Sequence, residues 1–483
     1  MTAAASPPGA PLPDPYEVLP FAGPVDAVVR PPGSKSITNR ALVAAALAPG
    51  RSVLTGVLFA DDTEAMLDCI ARLGAHVRID RPTLTVTVDG VGGRIADGPV
   101  DLDARLSGTT SRFVLPMLTL GAGPYRLDGA EALRARPMGP VLDALRAMGA
   151  EVVEEGRPGH LPVTVRGTGG PPASGASSLG GGGATSAPIP PAQVLDLPGD
   201  VSSQFVSGLL LSAPCGPPGT MTVRLTTTPV SVPYLDMTVA VMRSFGVPVE
   251  RPDARTFVIH RPGPSSPDDR SEPWGYRAAA SYTVEPDASA ASYFFAAAAI
   301  TGGRVRVEGL DPDSLQGDVA FVDVLERMGA TVVRERDGIE VRGTGTLRGV
   351  EADFADISDT AQTLAAVAVF ADSPTRVRGI GFIRGKETDR IAAVVSELRR
   401  CGIDASEHDD GFSIRPGAPR AAVVQTYDDH RMAMSFALLG LRAAGVAIAD
   451  PGCVAKTFPD YFSVLESLRP PPGDDRPHAG SDR

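Results

Sequence analysis

One pattern occurs six times along this chain: a short apolar strand, a polar loop and an amphipathic helix. The copies begin at residues 51, 125, 221, 305, 375 and 446, and the first five close with a glycine directly after the helix. The helices place apolar residues at i, i+3, i+4 and i+7, which is typical of a helix with one buried face. We expect left-handed caps at the closing glycines, which are Gly74, Gly149, Gly246, Gly329 and Gly402.

A second and more apolar helix alternates with the first. Its copies begin in the segments GSKSITNR, LSGTTSR, DVSSQF, PDASAAS, DISDTAQ and YDDHRMA. The residues that follow are too apolar for a surface helix, so we expect these six helices in the core. Their openings contain Ser, Thr, Asp or Gly, which suit a helix N-cap. Helix N-termini also attract anions, so each opening is a candidate binding site as well as a cap.

These elements predict six units of about 75 residues, each with two helices and several strands. A chain of 483 residues exceeds the roughly 250–300 that one hydrophobic core supports, so we expect two domains of three units. The predicted boundaries place domain one at 16–33 and 285–468, and domain two at 34–284. Domain two carries a Gly/Ser-rich insertion at 169–191, and the segments 1–15 and 469–483 are expected to be disordered tails.

The composition argues against several classes of protein. A net charge of −12 argues against a nucleic-acid surface. The sequence has no run of about 18 apolar residues, so we expect no membrane span, and its N-terminus does not resemble a secretory signal. The four cysteines form no CxxC pair, which favours a reduced cytoplasm and argues against a zinc site. We therefore expect a cytoplasmic protein without a metal.

Lysine is rare in this chain, because only three of its 45 basic residues are lysines. Lys35 lies in PGSKSITNR, Lys386 in RGKETDR and Lys456 in CVAKTFPDYF. A lysine kept among so many arginines indicates a need for a compact ammonium group, although chance in an arginine-rich composition is the alternative. In PGSKSITNR, Lys35 and Arg40 are candidates for binding two different anionic groups. The segment is not a P-loop, because Ser34 separates the glycine from Lys35.

Other helix openings supply further candidates for anion binding. Gly108 in SGTTSR allows a ligand to approach the backbone, and Arg112 one turn later suits a carboxylate or phosphate. Arg136, directly before a proline, is either a ligand-binding or a surface residue. Neutral donors that suit phosphate or hydroxyl groups, and that equally suit helix caps, are Ser202, Ser203, Gln204 and, more weakly, Ser231.

The segments DISDT and RGKETDR place Asp359 and Glu387 beside basic residues. An acid beside a base can form a tuned acid–base pair, although a surface helix has the same composition. DDHRMAM adds Arg431, and His430 is a metal-ligand candidate without companions, so an ion-paired helix start is the better interpretation. Cys453 is either a nucleophile or a small buried residue.

Taken together, PGSKSITNR, SGTTSRF, RARP, DVSSQF, RGKETDR, DDHRMAM and AKTFPDYF resemble the motifs of the 5-enolpyruvylshikimate-3-phosphate synthase family. They occur in this order between Pro31 and Leu468. The resemblance implies an α/β fold, a two-domain inside-out barrel of six βαβαββ repeats with three in each domain. It also implies transfer of the enolpyruvyl group of phosphoenolpyruvate to the 5-hydroxyl of shikimate 3-phosphate, with release of phosphate. We expect a monomer that uses no cofactor and binds only these small molecules.

The resemblance implies roles for individual residues. Those implied to bind shikimate 3-phosphate are Lys35, Ser36, Arg40, Ser202, Ser203, Gln204, Ser231, Asp359 and Lys386. Those implied to bind phosphoenolpyruvate are Lys35, Gly108, Arg136, Arg390, Arg431 and Lys456. The implied catalytic residues are Asp359, which would accept the 5-hydroxyl proton, Glu387, which would protonate the methylene, and Lys35, which would contact both substrates.

Three residues depart from the family pattern. Leu106 and Phe382 stand where the family often has asparagine, so possible polar contacts are lost. Phe113 stands where the family often has proline, and we expect this change to alter the pocket near Gly108.

Two other functions stay open at this point. A UDP-N-acetylglucosamine enolpyruvyl transferase shares the fold and the donor, but it would be expected to carry an SKNA-type start and a loop cysteine. This chain has no cysteine between Cys69 and Cys215. A non-catalytic anion-binding protein would be expected to lose its acid–base residues first, whereas Asp359, Glu387 and all three lysines are present.

Overall fold

The computed structural model of the chain describes residues 12–167, 192–261 and 275–469. The predicted insertion at 169–191 lies outside the described residues, as do most residues of both predicted tails. Helices and strands alternate along the described chain.

The strands are β1 (Tyr16–Glu17), β2 (Asp26–Val29), β3 (Pro49–Thr55), β4 (His76–Asp80), β5 (Thr85–Val91), β6 (Val100–Asp103), β7 (Pro124–Asp128), β8 (Glu151–Glu154), β9 (Val163–Arg166), β10 (Ala192–Leu197), β11 (Gly219–Leu225), β12 (Glu250–Asp253), β13 (Thr256–Arg261), β14 (Tyr282–Thr283), β15 (Arg304–Glu308), β16 (Thr331–Glu335), β17 (Gly338–Arg342), β18 (Glu351–Asp353), β19 (Thr375–Arg378), β20 (Ala405–His408), β21 (Gly411–Ile414), β22 (Ala422–Val424) and β23 (Val446–Ile448). The helices are α1 (Lys35–Leu47), α2 (Asp61–Arg72), α3 (Gly108–Met117), α4 (Glu131–Arg134), α5 (Gly139–Ala147), α6 (Ser203–Ser212), α7 (Val232–Ser244), α8 (Ala288–Thr301), α9 (Phe321–Met328), α10 (Ala361–Ala368), α11 (Arg390–Arg400), α12 (His430–Gly440) and α13 (Tyr461–Ser467).

The described strands form six sheets, one for each predicted repeat. Five sheets have four strands in the same order, as in β6–β7–β9–β8, where the first pair is parallel and the other pairs are antiparallel. The sixth sheet has three strands in the order β1–β23–β22. An apolar helix connects each parallel pair that is continuous in sequence, as α3 connects β6 to β7, because a parallel connection requires a long crossover.

Two of the four-stranded sheets take their outer strand from a distant part of the chain. β14 lies parallel to β3, with Tyr282 opposite Leu54. β2 lies parallel to β15, with Ala27 opposite Val305. In each of these two sheets, the outer strand and its parallel neighbour are therefore separated in sequence by a long segment that also forms other sheets.

The described chain divides into two compact units. The terminal unit comprises the described residues of Met1–Pro31, Ala288–Asp313 and Asp318–Arg483, and the central unit those of Pro32–Asp287 and Ser314–Gly317. Each unit contains three of the six sheets.

Two backbone bonds explain why the unit boundaries differ by a few residues from those predicted after residues 33 and 284. The amide of Ser34 donates to the carbonyl of Glu285, and the amide of Asp287 donates to that of Pro32, both at 2.8 Å. These bonds join the two crossing segments to each other within the central unit. The central unit also includes 314–317, which we had placed in domain one.

The described residues at the inner ends of the predicted tails, 1–15 and 469–483, contact the terminal unit. The side chain of Leu12 packs against the core of the terminal unit. The carboxylate of Asp14 accepts a hydrogen bond from the amide of Asp450 at 2.9 Å. The guanidinium of Arg469 donates to the carbonyl of Pro20, also at 2.9 Å. Residues 12–15 and Arg469 therefore belong to the folded terminal unit.

The six apolar helices lie in the cores, as predicted. All residues of α3 and of α12 are buried. Small polar side chains link these helices inside the terminal unit, where the hydroxyl of Thr363 lies 3.0 Å from that of Ser292 and 3.4 Å from that of Ser435. Such bonds satisfy hydroxyl groups that burial would otherwise leave without partners.

The closing glycines form the predicted left-handed caps, but the predicted N-cap side chains act at only some of the apolar helices. The five closing glycines all have positive φ, between 80° and 110°, as a left-handed cap requires. Ser107, Ser202 and Asp429 cap α3, α6 and α12 through their side chains. Ser34 makes no such bond at α1, because the carboxylate of Asp287 accepts the amide of Lys35 instead, at 3.2 Å.

Candidate active site

Lys35 is the first residue of α1 in the central unit. Its ammonium group lies 3.3 Å from a carboxylate oxygen of Asp62, a buried residue in the first turn of α2. The lysine side chain keeps 13% of its surface exposed, compared with 3% for Asp62. The ion pair therefore holds a partly accessible ammonium group at a helix N-terminus.

Arg40 lies one turn further along α1 and is buried. Its guanidinium donates to the hydroxyl of Thr238 at 2.7 Å, to the carbonyls of Ser36 at 2.9 Å and Tyr234 at 3.1 Å, and to the hydroxyl of Ser207 at 3.3 Å. All four acceptors are uncharged, and burial lowers the pKa of Arg40 to about 10. A buried cation with neutral partners is unstable by itself and suits an incoming anion.

Two aromatic rings complete the surroundings of Arg40. The guanidinium carbon lies 5.1 Å from the ring centroid of Phe113 and 6.0 Å from that of Tyr234. These are cation–π distances, which stabilise a charge without neutralising it. Phe113, one of the three departures from the family pattern, therefore contacts a predicted substrate-binding residue.

Gly108 is the first residue of α3, and two arginines approach it. A Cβ atom at this position would lie 3.0 Å from Nη1 of Arg136 and 3.2 Å from Nη1 of Arg112. Both arginines are at least nine-tenths buried. The absence of a side chain at Gly108 thus allows two guanidinium groups to reach the N-terminus of α3, where the helix dipole already favours anions.

The side chain of Gln204, at the start of α6, connects this cluster. Its carbonyl oxygen accepts from Nη1 of Arg112 at 2.6 Å, and its amide nitrogen donates to the hydroxyl of Thr109 at 3.0 Å. Arg112 also lies over the ring of Phe205, 5.1 Å from its centroid. The adjacent Ser202 accepts the amide of Gln204, so the side chain that was a candidate donor acts here as a cap.

The other two serines differ in their surroundings. Ser203 is the first residue of α6 and is 8% exposed. Ser231 precedes α7, is buried and has φ of +53°. Positive φ is costly for a residue with a side chain and persists where surrounding contacts enforce it, often at functional sites.

The terminal unit contains a network centred on Arg390, the fully buried first residue of α11. Its guanidinium donates to Asp429 at 2.7 Å, to Glu387 at 2.9 Å and to Asp359 at 3.0 Å. Burial opposes the charge of Arg390, but the three carboxylates, Asp429 foremost, raise its pKa above the ordinary value.

Two further cations share the same carboxylates. Arg431 donates to the second oxygen of Asp359 at 2.6 Å. The ammonium group of Lys456 lies 3.3 Å from the second oxygen of Glu387. Asp359 thus lies between two arginines, and Glu387 lies between an arginine and a lysine.

The backbone explains why these residues meet. Asp359 lies in a 3₁₀ turn, Ser358–Thr360, directly before α10. Arg431 is the second residue of α12 and Lys456 ends the 3₁₀ segment Pro451–Lys456. Lys386 lies beside Glu387, four residues before the first residue of α11, and is half-buried. Arg390 and Arg431 therefore lie in the first turns of helices, whereas the other predicted residues of this unit lie in the segments that precede helices.

A protein-family model described as EPSP synthase (3-phosphoshikimate 1-carboxyvinyltransferase) matches residues 21–465. The chain belongs to the EPSP synthase family. It is 44% identical over 451 residues to the 3-phosphoshikimate 1-carboxyvinyltransferase of Nostoc punctiforme, covering 93% of this chain and 98% of that relative. It is 41% identical over 446 residues to the enzyme of the same name from Serratia proteamaculans, covering 92% and 96% of the two chains.

Solved EPSP synthases have the same fold. The EPSP synthase of Acinetobacter baumannii matches with a TM-score of 0.74 and 26% identity, covering 94% of this chain and 98% of that one. The predicted fold class, an α/β two-domain inside-out barrel with six repeats, is confirmed. The names of the relatives support the predicted reaction and not the UDP-N-acetylglucosamine alternative.

Several residues that contact the predicted EPSP synthase site were not among the predicted site residues. They are Asp62, Thr109, Phe113, Ser207, Thr238 and Asp429. Most lie far in sequence from the residue they contact, as Thr238 does from Arg40, so local motifs do not reveal them. Asp429 was the exception, because the DDHR motif already indicated an ion-paired helix start.

Two other candidates acquire plain structural interpretations. Burial raises the pKa of the Cys453 thiol to about 12, which disfavours the thiolate that a nucleophile requires. His430 is buried, and its ring lies 3.7 Å from Asp429. In the described ranges, no three His, Cys, Asp or Glu side chains are arranged to hold a metal ion. No helix in these ranges is long and apolar enough to cross a membrane.

Proposed function

We propose that this chain transfers the enolpyruvyl group of phosphoenolpyruvate, the donor, to the 5-hydroxyl of shikimate 3-phosphate, the acceptor, with release of phosphate. The observation that carries the proposal is the pair of carboxylates, Asp359 and Glu387, held by one buried arginine, Arg390. The reaction needs one group to accept a proton and one to donate a proton, and this pair supplies both.

Arg40 and Lys35 supply the charge that binds the acceptor. Arg40 is a buried cation whose partners are all uncharged, so an anionic group of the acceptor would compensate it. Lys35 offers an ammonium group at the start of α1 for either substrate. The remaining proposed acceptor residues are Ser36, Ser202, Ser203, Gln204, Ser231, Asp359 and Lys386.

Guanidinium groups at helix starts bind the donor. Arg136 reaches Gly108 at the start of α3, and Arg390 and Arg431 lie in the first turns of α11 and α12. Arginine pairs well with carboxylate and phosphate, and helix N-termini add to the favourable potential. The ammonium groups of Lys456 and Lys35 are the remaining cations that we propose bind the donor.

The acid and the base act on the two reacting groups, the donor methylene and the acceptor hydroxyl. Asp359 accepts the proton of the 5-hydroxyl while the hydroxyl oxygen attacks C2 of the donor, and protonated Glu387 gives its proton to the methylene carbon. The positive charge that develops at C2 is stabilised by nearby carboxylates. Glu387 then takes back a proton from the methyl group while Asp359 gives its proton to the departing phosphate. The double bond is restored, and both carboxyl groups return to their starting protonation states.

Competition for the ion pairs of Asp359 and Glu387 gives donor binding a part in preparing the chemistry. Asp359 and Glu387 are each shared between two cations, which stabilises their ionised forms and weakens them as proton acceptors. An anionic donor competes for Arg390, Arg431 and Lys456. Its binding therefore frees Asp359 to accept a proton and allows Glu387 to take up the proton that it gives to the methylene.

Phosphate release tests the proposal. The full-length protein is mixed with phosphoenolpyruvate and either shikimate 3-phosphate or UDP-N-acetylglucosamine. We expect release only with shikimate 3-phosphate, and release only with the UDP-sugar would overturn the proposed acceptor. Binding of shikimate 3-phosphate without release would favour a non-catalytic protein.

Substitution of the acid tests its role against a matched control. Glu387→Gln should lower kcat by about 100-fold or more, since general acid catalysis contributes about that much. Glu340→Gln is the control, because Glu340 is also buried in the terminal unit between two arginines, Arg304 and Arg342. Equal losses in both variants would contradict the assignment.

The same proposal includes a monomeric, cytoplasmic enzyme of aromatic amino-acid biosynthesis that needs no cofactor. The reaction supports the last point, because protonation, addition and elimination transfer no electrons. Sedimentation equilibrium with and without substrates measures the oligomeric state, and a dimer at micromolar concentration would contradict the monomer.

A further inference from the structure

Glu397 is a buried carboxylate to which the proposed reaction assigns no part. It lies on α11 seven residues after Arg390, which places the two side chains about two turns apart on one face of the helix. Its carboxylate accepts three hydrogen bonds: from the hydroxyl of Tyr427 at 2.7 Å, from Nε of Arg400 at 2.8 Å and from the amide of Gln425 at 2.9 Å. Two of the three donors belong to the segment that precedes α12.

That segment has an unusual backbone. Tyr427 and Asp428 are consecutive residues with φ of +56° and +60°. Each such residue with a side chain costs about 1 kcal/mol or more, so the conformation persists only where contacts enforce it. The bonds from Gln425 and Tyr427 to Glu397 are such contacts. Tyr427 is itself one of the two strained residues, and Gln425 lies two residues before it.

The strained segment determines where α12 begins. Its next residue, Asp429, caps α12 by accepting the amide of Arg431 at 2.9 Å. The same carboxylate receives two bonds from Arg390, at 2.7 and 3.3 Å. α11 therefore holds the start of α12 at two points, through Arg390 at its own first residue and through Glu397 two turns later.

We propose that Glu397 and Tyr427 are positioning residues for the donor. They hold the segment 425–428 in its strained form, and thereby fix Asp429 and the two arginines, Arg390 and Arg431, that Asp429 orients. Arg400 forms an ion pair with the buried carboxylate of Glu397, so Glu397 does not compete for the arginines and lysines of the proposed site. The inference rests on the proposed function only in taking these arginines as donor ligands.

The mildest test removes one hydroxyl group. Tyr427 is 42% exposed, so Tyr427→Phe leaves the core intact while it removes the bond to Glu397. We expect the KM for phosphoenolpyruvate to rise about three- to tenfold, which is less than direct loss of one bond to a charged group causes, because Tyr427 acts on the donor only through Asp429 and the arginines. The KM for shikimate 3-phosphate should stay within about twofold, because the acceptor is bound mainly by the central unit.

Tyr16→Phe is the matched control. A glutamate of the terminal unit also acts on its hydroxyl, because burial and Glu466 together raise the pKa of Tyr16 to about 12, and both residues lie away from the start of α12. Equal donor KM values in the Tyr427 and Tyr16 variants would overturn the inference. An equal rise of both substrate KM values would also overturn it, since that is what general loosening produces. Absence of turnover in the wild type would instead count against the proposed function.

Two further measurements test the contact between Tyr427 and Glu397 without depending on catalytic activity alone. Hydrogen exchange of amides in 425–432 should become at least about fivefold faster in Tyr427→Phe than in Tyr16→Phe, and unchanged exchange would overturn the inference. Glu397→Gln should lie between wild type and Glu397→Ala in both exchange and donor KM, because the amide retains one acceptor oxygen. If the alanine variant does not fold, the glutamine and phenylalanine variants decide.

Discussion

The guanidinium carbon of Arg40 lies 5.1 Å from the ring centroid of Phe113, and none of the hydrogen-bond acceptors around this guanidinium is a carboxylate. Arg390 is equally buried, yet three carboxylates surround it. In the central unit, an anionic ligand could therefore pair with Arg40 without displacing a bonded carboxylate of the described residues. In the terminal unit, an anionic ligand must compete with three carboxylates for Arg390. The predictions below follow from this difference and from the contacts around it.

Phe113→Leu should weaken binding of the acceptor. It removes the aromatic face from Arg40 while it keeps an apolar side chain in the core, and a buried cation–π contact is worth about 0.5–2 kcal/mol. We expect the KM for shikimate 3-phosphate to rise about three- to tenfold. Phe205→Leu is the control, because Phe205 is also buried and lies 5.1 Å from a different arginine, Arg112. The same acceptor KM in both variants would contradict the prediction.

Arg40→Met should make the protein more stable and inactive. Burial lowers the pKa of Arg40 to about 10, so the unfolded chain binds this proton more tightly and the charge reduces stability at neutral pH. The hydroxyls of Thr238 and Ser207 remain bonded to each other at 2.8 Å after the change. We expect the free energy of unfolding to rise by about 1 kcal/mol, and acceptor affinity to fall by about 100-fold or more.

The free energy of unfolding gained in Arg40→Met should depend on pH in a definite direction. Below pH 10 the folded protein carries the full cost of the charged guanidinium, so the gain from methionine is complete. Above pH 10 the folded wild type releases the proton and the gain should shrink. Urea unfolding at pH 7.5 and pH 10.5 measures it, and a variant clearly less stable than wild type at pH 7.5 would refute the argument.

Gly108→Ala should affect the donor more than the acceptor. The new methyl group would lie 3.0 Å from Nη1 of Arg136 and 3.2 Å from Nη1 of Arg112, so at least one guanidinium must move. We expect the KM for phosphoenolpyruvate to rise about tenfold, with little change in the melting temperature. Gly139→Ala is the control, because a Cβ atom there meets no atom within 4 Å. A donor KM equal to that of the control would disprove the prediction.

Lys456→Arg tests why this chain retains a lysine. The side chain is 7% exposed and its ammonium group contacts Glu387, so there is little room for a planar guanidinium. Arginine also holds its proton more firmly than lysine does. We expect kcat to fall by about tenfold or more. Arg384→Lys, which exchanges a partly exposed arginine paired with Asp389 and Glu407, should keep at least about half the wild-type kcat.

Local patterns predict the helices, their buried faces and the closing glycines, because these depend on neighbours within a few residues. The contacts that hold the site are of a different kind. Lys35 meets Asp62, and Arg390 meets Asp429, across 27 and 39 positions of sequence that only folding brings together. The amide of Lys35 donates to the carboxylate of Asp287, which is 252 residues away, so no local pattern around Lys35 could reveal this contact.

The roles of the departing residues also needed the tertiary structure. Phe113 is expected to alter the pocket near Gly108, and the structure adds a contact that the sequence did not indicate, between its ring and Arg40. Phe382 packs partly buried against the core of the terminal unit, which an apolar residue can do and a hydrated asparagine cannot. Leu106 is 36% exposed, so a polar residue would fit that position equally well.

The pairing of Tyr16 with Ile448, and of β2 with β15, has a consequence for the order in which the protein can form during synthesis. Of the terminal unit, β1 and β2 are translated before the central unit, but their partners, β23 and β15, emerge only after the strands and α-helices of the central unit have been made. The central unit can close once β14 has appeared. β1 and β2 are therefore translated before the central unit and yet are among the last strands to be fixed in their sheets.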